Sequence, residues 1–221
     1  MKTCRLLRSI VILGLCTALI SCVAPAQDIK GPSDLDQVLS SGKKSAVFGR
    51  IQWLENGKEK RIEKGLFNFS VSPNLLRMDD RSKIHGEVDE NGYFVWSLEP
   101  GIYVIYRINY HDPWSGNYFI VPKVAFSVPE KGRIYYIGTL KMDFAPKRDL
   151  IGGLSGRVKV RIEDQGQKDN AAIVQKIGAV THDIEKSLMV HKASLPTTID
   201  TTDEFNLAMR ILNAILFGVS Q

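Results

Sequence analysis

The sequence predicts a mainly β protein, an antiparallel β-sandwich of about seven to nine strands with a helical extension at its C-terminus. Two observations predict it. From Ser45 to about Ile162 the hydrophobic period is two, in short β-branched and aromatic runs punctuated by Gly, Pro, Asn or Asp. Beyond Ile162 apolar residues recur at helical spacing instead.

The elements follow in order. Residues 1–21 begin with Lys2, Arg5 and Arg8, then carry no charge from Ile10 to Ile20. A basic start, a short apolar stretch and a small residue at its end are the parts of a secretory signal peptide. A spanning helix needs about 20 apolar residues, more than this stretch supplies. Ala24-Pro25-Ala26 loosely resembles an ordinary cleavage site, but proline beside the cut argues against it. Residues 22–42 are expected to be a tether. Ala24-Pro25-Ala26-Gln27-Asp28 and Gly31-Pro32-Ser33 are coil formers, and Asp34 to Leu39 adds a short helix capped by Ser33 and stopped near Gly42.

Residues 43–162 form the sandwich. Its runs are Ala46 to Trp53, Leu66 to Val71, Tyr93 to Trp96, Ile102 to Ile108, Tyr118 to Val121, Val124 to Val128, Arg133 to Leu140 and Arg157 to Ile162. Asn56-Gly57 and Asn91-Gly92 tolerate the positive φ of tight hairpins. Trp53 and Trp96 alternate with their neighbours and belong to the core. Residues 163–221 form the extension. Asp169 to Val180 and Asp183 to Val190 read as helical, and Leu195-Pro196 interrupts the chain. Thr201 with Glu204 then makes a capping box. Phe205, Ala208, Met209, Leu212, Ile215, Leu216 and Val219 form one apolar stripe that packs on the sandwich. Arg210 is the only basic residue of the opposite face, which argues against a membrane-surface helix.

Charge and cysteines narrow the function. The 221-residue chain has a formal charge of +5, and removing residues 1–21 with their three basic residues lowers it to +2. No nucleic-acid partner is expected. Cys4 and Cys16 leave with the signal, so Cys22 has no disulfide partner.

No catalytic residue, metal ligand or cofactor is assigned. His85, His111, His182 and His191 form no pair with metal-ligand spacing. Asp79-Asp80, Asp89-Glu90 and Asp143 are scattered among turns, and Asp203-Glu204 suits a helix N-terminus. In Gly153-Leu154-Ser155-Gly156 a nucleophile elbow would need glycine at position 157, which is Arg157. Lys58, Lys60, Arg61 and Lys64 make a solvated basic hairpin. The unusual segment runs from Tyr110 through His111, Asp112, Pro113, Trp114, Ser115, Gly116 and Asn117 to Tyr118. Tyr110, His111, Asp112, Trp114, Asn117 and Tyr118 are the candidate ligand- or partner-binding residues, since aromatics beside Asp and Asn suit stacking on sugar rings or anchoring a partner. Against this, Trp114 also fits as a lid over the sandwich end.

Leu19-Ile20-Ser21-Cys22 resembles the lipobox of bacterial lipoproteins. The resemblance implies a diacylglyceryl group on Cys22 and attachment to a lipid bilayer. Val23, in place of the Asp that retains such proteins in the inner membrane, implies the outer membrane, facing the periplasm. Val88-Asp89-Glu90-Asn91-Gly92-Tyr93-Phe94-Val95-Trp96-Ser97-Leu98-Glu99-Pro100-Gly101-Ile102-Tyr103 resembles the hallmark of carboxypeptidase regulatory-like, prealbumin-type (Ig-like) sandwich domains. There Asn91-Gly92 would close one hairpin and Pro100-Gly101 the next. Phe126-Ser127-Val128 with Gly132 to Gly138 is similar to a strand pair in bacterial lipoprotein families. Together these motifs imply a fold over residues 43–145 and no catalytic residue. The expectation is a non-enzymatic lipoprotein that binds or scaffolds another envelope component, as the transthyretin-like lipoprotein of type VI secretion does by analogy of architecture. The alternatives are a module binding cell-wall glycan through Tyr110–Tyr118, and a transthyretin-type hydrolase. Those hydrolases end Tyr-Arg-Gly-Ser, whereas Gly218-Val219-Ser220-Gln221 stands here.

Overall fold

A computed structural model describes residues 24–63, 68–113, 116–148, 154–177, 183–192 and 204–218. The chain begins with β1 (Ala24–Pro25), β2 (Gln27–Asp28) and helix α1 (Pro32–Ser40). β3 (Ser45–Glu55) turns into β4 (Lys58–Glu59) through Asn56 and Gly57, at φ 52° and 78°, the two-residue hairpin their side chains favour. Next come β5 (Ser70–Arg77), β6 (Lys83–His85), β7 (Tyr93–Leu98), β8 (Gly101–Asp112), β9 (Gly116–Ile120) and β10 (Val124–Val128). The long strands β11 (Ile134–Arg148) and β12 (Leu154–Glu163) precede α2 (Gly166–Ile177), β13 (Ile184–Lys186), β14 (Val190–His191) and α3 (Glu204–Phe217).

The strands make two mostly antiparallel sheets. Sheet A runs β1-β6-β5-β8-β10-β14, with β9 also on β8. Sheet B runs β12-β11-β3-β7-β2, with β13 on β11 and β4 on β3. Strands β1, β2, β4, β6, β13 and β14 are two or three residues long, too short to display a period. The pairing also departs from the fully antiparallel expectation, because β3 and β11 run parallel, as do β1 with β6 and β13 with β11. Almost every residue of β3 is buried, on both faces, which is the condition parallel strands require.

Three buried clusters explain the layering. Between the sheets lie Trp53, Phe94, Trp96 and Leu140 from sheet B against Leu75, Tyr103, Ile105 and Phe126 from sheet A. Outside sheet B, Leu35 and Val38 of α1 and Ile173 and Ile177 of α2 cover Phe48, Val95 and Tyr136. Outside sheet A, Leu207, Ala208, Ile211, Leu212 and Ala214 of α3 cover Leu76, Val104, Tyr106 and Ala125. Helices thus flank both sheets.

Four expectations change. Residues 24–40, read as tether, belong to the body: β1 and β2 extend one sheet each, and Ile29, Leu35 and Val38 are buried. Gly and Pro marked the turns there correctly but hid the apolar residues between them. Residues 183–190 are not helical, since Ile184–Lys186 and Val190–His191 pair as edge strands with β11 and β10. Neither Asn91-Gly92 nor Pro100-Gly101 closes a hairpin: the first is a turn between β6 of sheet A and β7 of sheet B, and the second a corner carrying the chain from β7 back to β8 of sheet A. In α3 the packed face is centred on Leu207, Ile211 and Ala214, leaving Leu216 and Phe217 exposed, a rotation of the expected stripe. Thr201, Val219 and His182 lie outside the described residues.

Candidate functional site

Tyr110–Asp112 and Gly116–Tyr118 are the facing ends of the antiparallel strands β8 and β9, and their side chains divide between two faces. Successive strand residues point to opposite sides, and residues directly opposed across a pair share a side. Tyr110 faces inward at 6% exposure, its ring centroid 4.8 Å from Trp53, 6.0 Å from Phe144 and 5.4 Å from its cross-strand partner Tyr118. Its ring packs among these aromatics, and the residue also borders the depression described below. Asp112 is held by Lys60 Nζ at 2.7 Å. Lys60 also meets Glu55 at 3.2 Å and lies over the Phe69 ring. Burial pushes the Lys60 ammonium down, but its hydrogen bonds to Asp112 and Glu55 outweigh that and hold it above its ordinary value. Trp114 lies outside the described residues.

His111 and Asn117 are opposed in register and face outward, with His111 Nδ1 2.8 Å from Asn117 Oδ1. They sit at one end of a shallow depression of about 370 Å³ on the outer face of sheet A. Register adds their neighbours: Ser70 opposes His111, Ser72 and Phe119 oppose Asn109, and Asn74 opposes Arg107. The other half of that face lies beneath α3, which packs on Val104, Tyr106 and Ala125. The depression is therefore the part of the sheet that the helix leaves uncovered.

Arg107 is its electrostatic centre. The guanidinium carbon sits 5.6 Å from the Phe119 ring centroid, and Nε is buried without a hydrogen-bond partner. No ion pair joins Arg107 to a carboxylate among the described residues, and none of the residues lining the depression is acidic. Phe119 is 49% exposed, unusually open for a strand phenylalanine. The polar side chains around them can accept and donate hydrogen bonds to a ligand.

Sequence reasoning singled out His111 and Asn117 and passed over Arg107, Asn109, Ser70, Ser72 and Phe119. A signal was present: Arg107-x-Asn109-x-His111 and Ser70-x-Ser72-x-Asn74 repeat polar residues at period two, the mark of strands with one hydrophilic side.

Among the described residues no group of three or more His, Cys, Asp or Glu side chains converges as metal ligands, and no helix is long and apolar enough to cross a membrane. No protein-family profile matches the sequence, and neither curated proteins nor solved structures yield a match.

Buried phenols weaken the fold at alkaline pH. Burial first pushes Tyr106 and Tyr110 up to about 12, reinforced by Glu204 beside Tyr106 and by Tyr118, Asp112 and Glu55 beside Tyr110. An unfolded tyrosine titrates near 10. Between about pH 10 and 12 the unfolded chain releases protons that the folded chain keeps, so stability falls as pH rises through that window. Urea midpoints measured at pH 9, 10 and 11 should decline progressively, and Tyr110→Phe should flatten the slope. An unchanged slope in that variant would remove Tyr110 as a source.

Proposed function

We propose that the protein is a lipid-anchored lipoprotein of the bacterial envelope, outer-membrane and facing the periplasm, whose body binds or scaffolds another envelope component without catalysing a reaction. We further read the two-sheet body as a prealbumin-type (Ig-like) sandwich, supported by the acidic-Gly turn and the Leu-x-Pro-Gly-x-Tyr corner. The observation that carries the reading is Cys22 at the end of the uncharged stretch Ile10–Ile20, preceded by Leu19-Ile20-Ser21. Each buried methylene of an acyl chain contributes about 0.8 kcal/mol, so two or three chains hold the body on a bilayer.

The position of β1 bears on how such an anchor would hold the body. Only Val23 separates Cys22 from Ala24, the first residue of β1. Two residues span about 7 Å when extended. The acylated residue would therefore hold the β1–β6 edge beside the leaflet, with no long leash between them.

The test uses the full chain expressed in bacteria with labelled palmitate. Label on the wild type, absent from Cys22→Ser together with a move of nearly all the protein from the membrane pellet to the soluble fraction, supports the reading. A wild-type product whose mass shows a bare thiol at position 22, or a chain trimmed beyond it, overturns it.

A further inference from the structure

We propose that the depression on the uncovered half of sheet A binds an acidic sugar, with Arg107 as the anchor for its carboxylate and the surrounding Ser and Asn side chains as readers of its hydroxyls. The proposal deepens the reading of the body as a binding module and rests on it.

Three observations carry the argument. The first is uncompensated charge. A partly buried guanidinium normally has a carboxylate partner, because removing the charge from water is costly unless it is hydrogen-bonded. The other buried or half-buried arginine side chains among the described residues obey this rule: Arg50 pairs with Glu59, and Arg77 meets Asp80 at 3.3 Å and Glu99 at 2.5 Å. Arg107, by contrast, has no carboxylate partner among the described residues and rests on an aromatic ring, its Nε buried without a hydrogen bond. The planar fork of a guanidinium matches a carboxylate through two parallel hydrogen bonds.

The second observation is the lining. Ser70, Ser72, Asn109 and Asn117 surround Arg107. Hydroxyl and amide groups both donate and accept, as sugar hydroxyls do. An acidic peptide would instead call for apolar recesses for alternate side chains, whereas the apolar side chain that the described residues expose here is Phe119. The third is shape. At about 370 Å³ the depression lies at the small end of ligand clefts, which run from about 300 to 1,000 Å³, and suits one or two sugar rings. The half-exposed Phe119 side chain supplies apolar surface against which a sugar ring can rest.

The experiment is saturation-transfer NMR on the detergent-solubilised full chain, using matched sugars: glucuronate against glucose, and N-acetylmuramate against N-acetylglucosamine. Signal from at least one acidic sugar, with about tenfold or greater preference over its neutral counterpart, is expected. Arg107→Gln should abolish that preference. Asn109→Asp, which keeps Arg107 and places an internal carboxylate beside it, should weaken acidic-sugar binding about tenfold while the thermal midpoint is held or raised. Equal transfer to acidic and neutral sugars overturns the carboxylate anchor. Broadening of the phosphorus resonance of inorganic phosphate without transfer to any sugar overturns the ligand class. Binding unchanged in both variants overturns the site. Cys22→Ser chain that still binds the acidic sugar while failing to fractionate with membranes leaves this inference standing, and loss of sugar signal from an acylated chain sinks this inference alone.

Discussion

Asp169→Ala is expected to lower the stability of the folded state by about 2–4 kcal/mol, read as the shift of a urea transition. Asp169 sits in the first turn of α2 and is fully buried. Its Oδ2 accepts from the Tyr136 hydroxyl at 2.6 Å and from Thr139 Oγ1 at 2.7 Å. The Tyr136 oxygen in turn accepts from the Gln165 backbone N–H at 2.9 Å, just ahead of the helix. One carboxylate thus fastens the start of α2 to β11, where the register with β3 shifts between Tyr136 and Thr139. Truncation leaves two buried hydroxyls without their acceptor and weakens the docking of Ile173 and Ile177. Asp169→Asn keeps an acceptor oxygen in the same place and should cost less than half as much. If the two variants proved equally stable, the carboxylate would be a passenger and the account of α2 docking would fail.

Gly92→Ala should cost about 3 kcal/mol, more than the same change at Gly57. The two glycines have nearly the same backbone angle, φ +80° and +78°. Left-handed conformation costs an L residue roughly 1–2 kcal/mol, so that part is common to both. They differ in surroundings. A Cβ on Gly92 would stand 2.0 Å from the Ile51 carbonyl oxygen, whereas nothing lies within 4 Å of one on Gly57. Relief requires moving the backbone at the point where Ile51 N–H donates to the Gly92 carbonyl at 2.8 Å. The same turn is braced by Asp89, whose Oδ1 accepts from the N–H groups of Asn91 and Tyr93 at 3.0 and 2.8 Å. Equal losses in the two variants, measured by thermal or urea unfolding, would show that the approach to Ile51 carries no weight.

Much of the strand content was legible. Tyr93 to Trp96, Val124 to Val128 and Ala46 to Trp53 all became strands, because period-two alternation and β-branched residues act within a few positions. The error at 183–190 came from reading weak helical spacing where the residues serve as edge strands on β11 and β10. Strands of two or three residues hold no pattern of their own and exist because a neighbouring edge offers its hydrogen bonds. For the candidate site, Tyr110 to Tyr118 read as one loop surface between two strand runs, whereas Tyr110–Asp112 and Gly116–Tyr118 are paired strand ends. Tyr110, His111, Asp112 and Asn117 look alike as a run of polar and aromatic residues, and only pairing shows that Tyr110 joins Trp53 while His111 joins Asn117.

On its own, the sequence determined that the body is β-rich, that Asn56-Gly57 turns a hairpin, and that a helix near the C-terminus packs an apolar face. Each follows from local constraints: the sign of φ, the alternation of a strand, the spacing of a helix. Tertiary structure alone decided that β3 lies parallel to β11, with Ala46 opposite Ile134, that β1 and β2 add to the edges of the two sheets, and that α3 covers one half of sheet A while leaving Arg107 beside an open face. Those outcomes depend on which distant segments lie side by side, and the burial that selects them is shared among residues far apart in the chain, so no single stretch of sequence carries it.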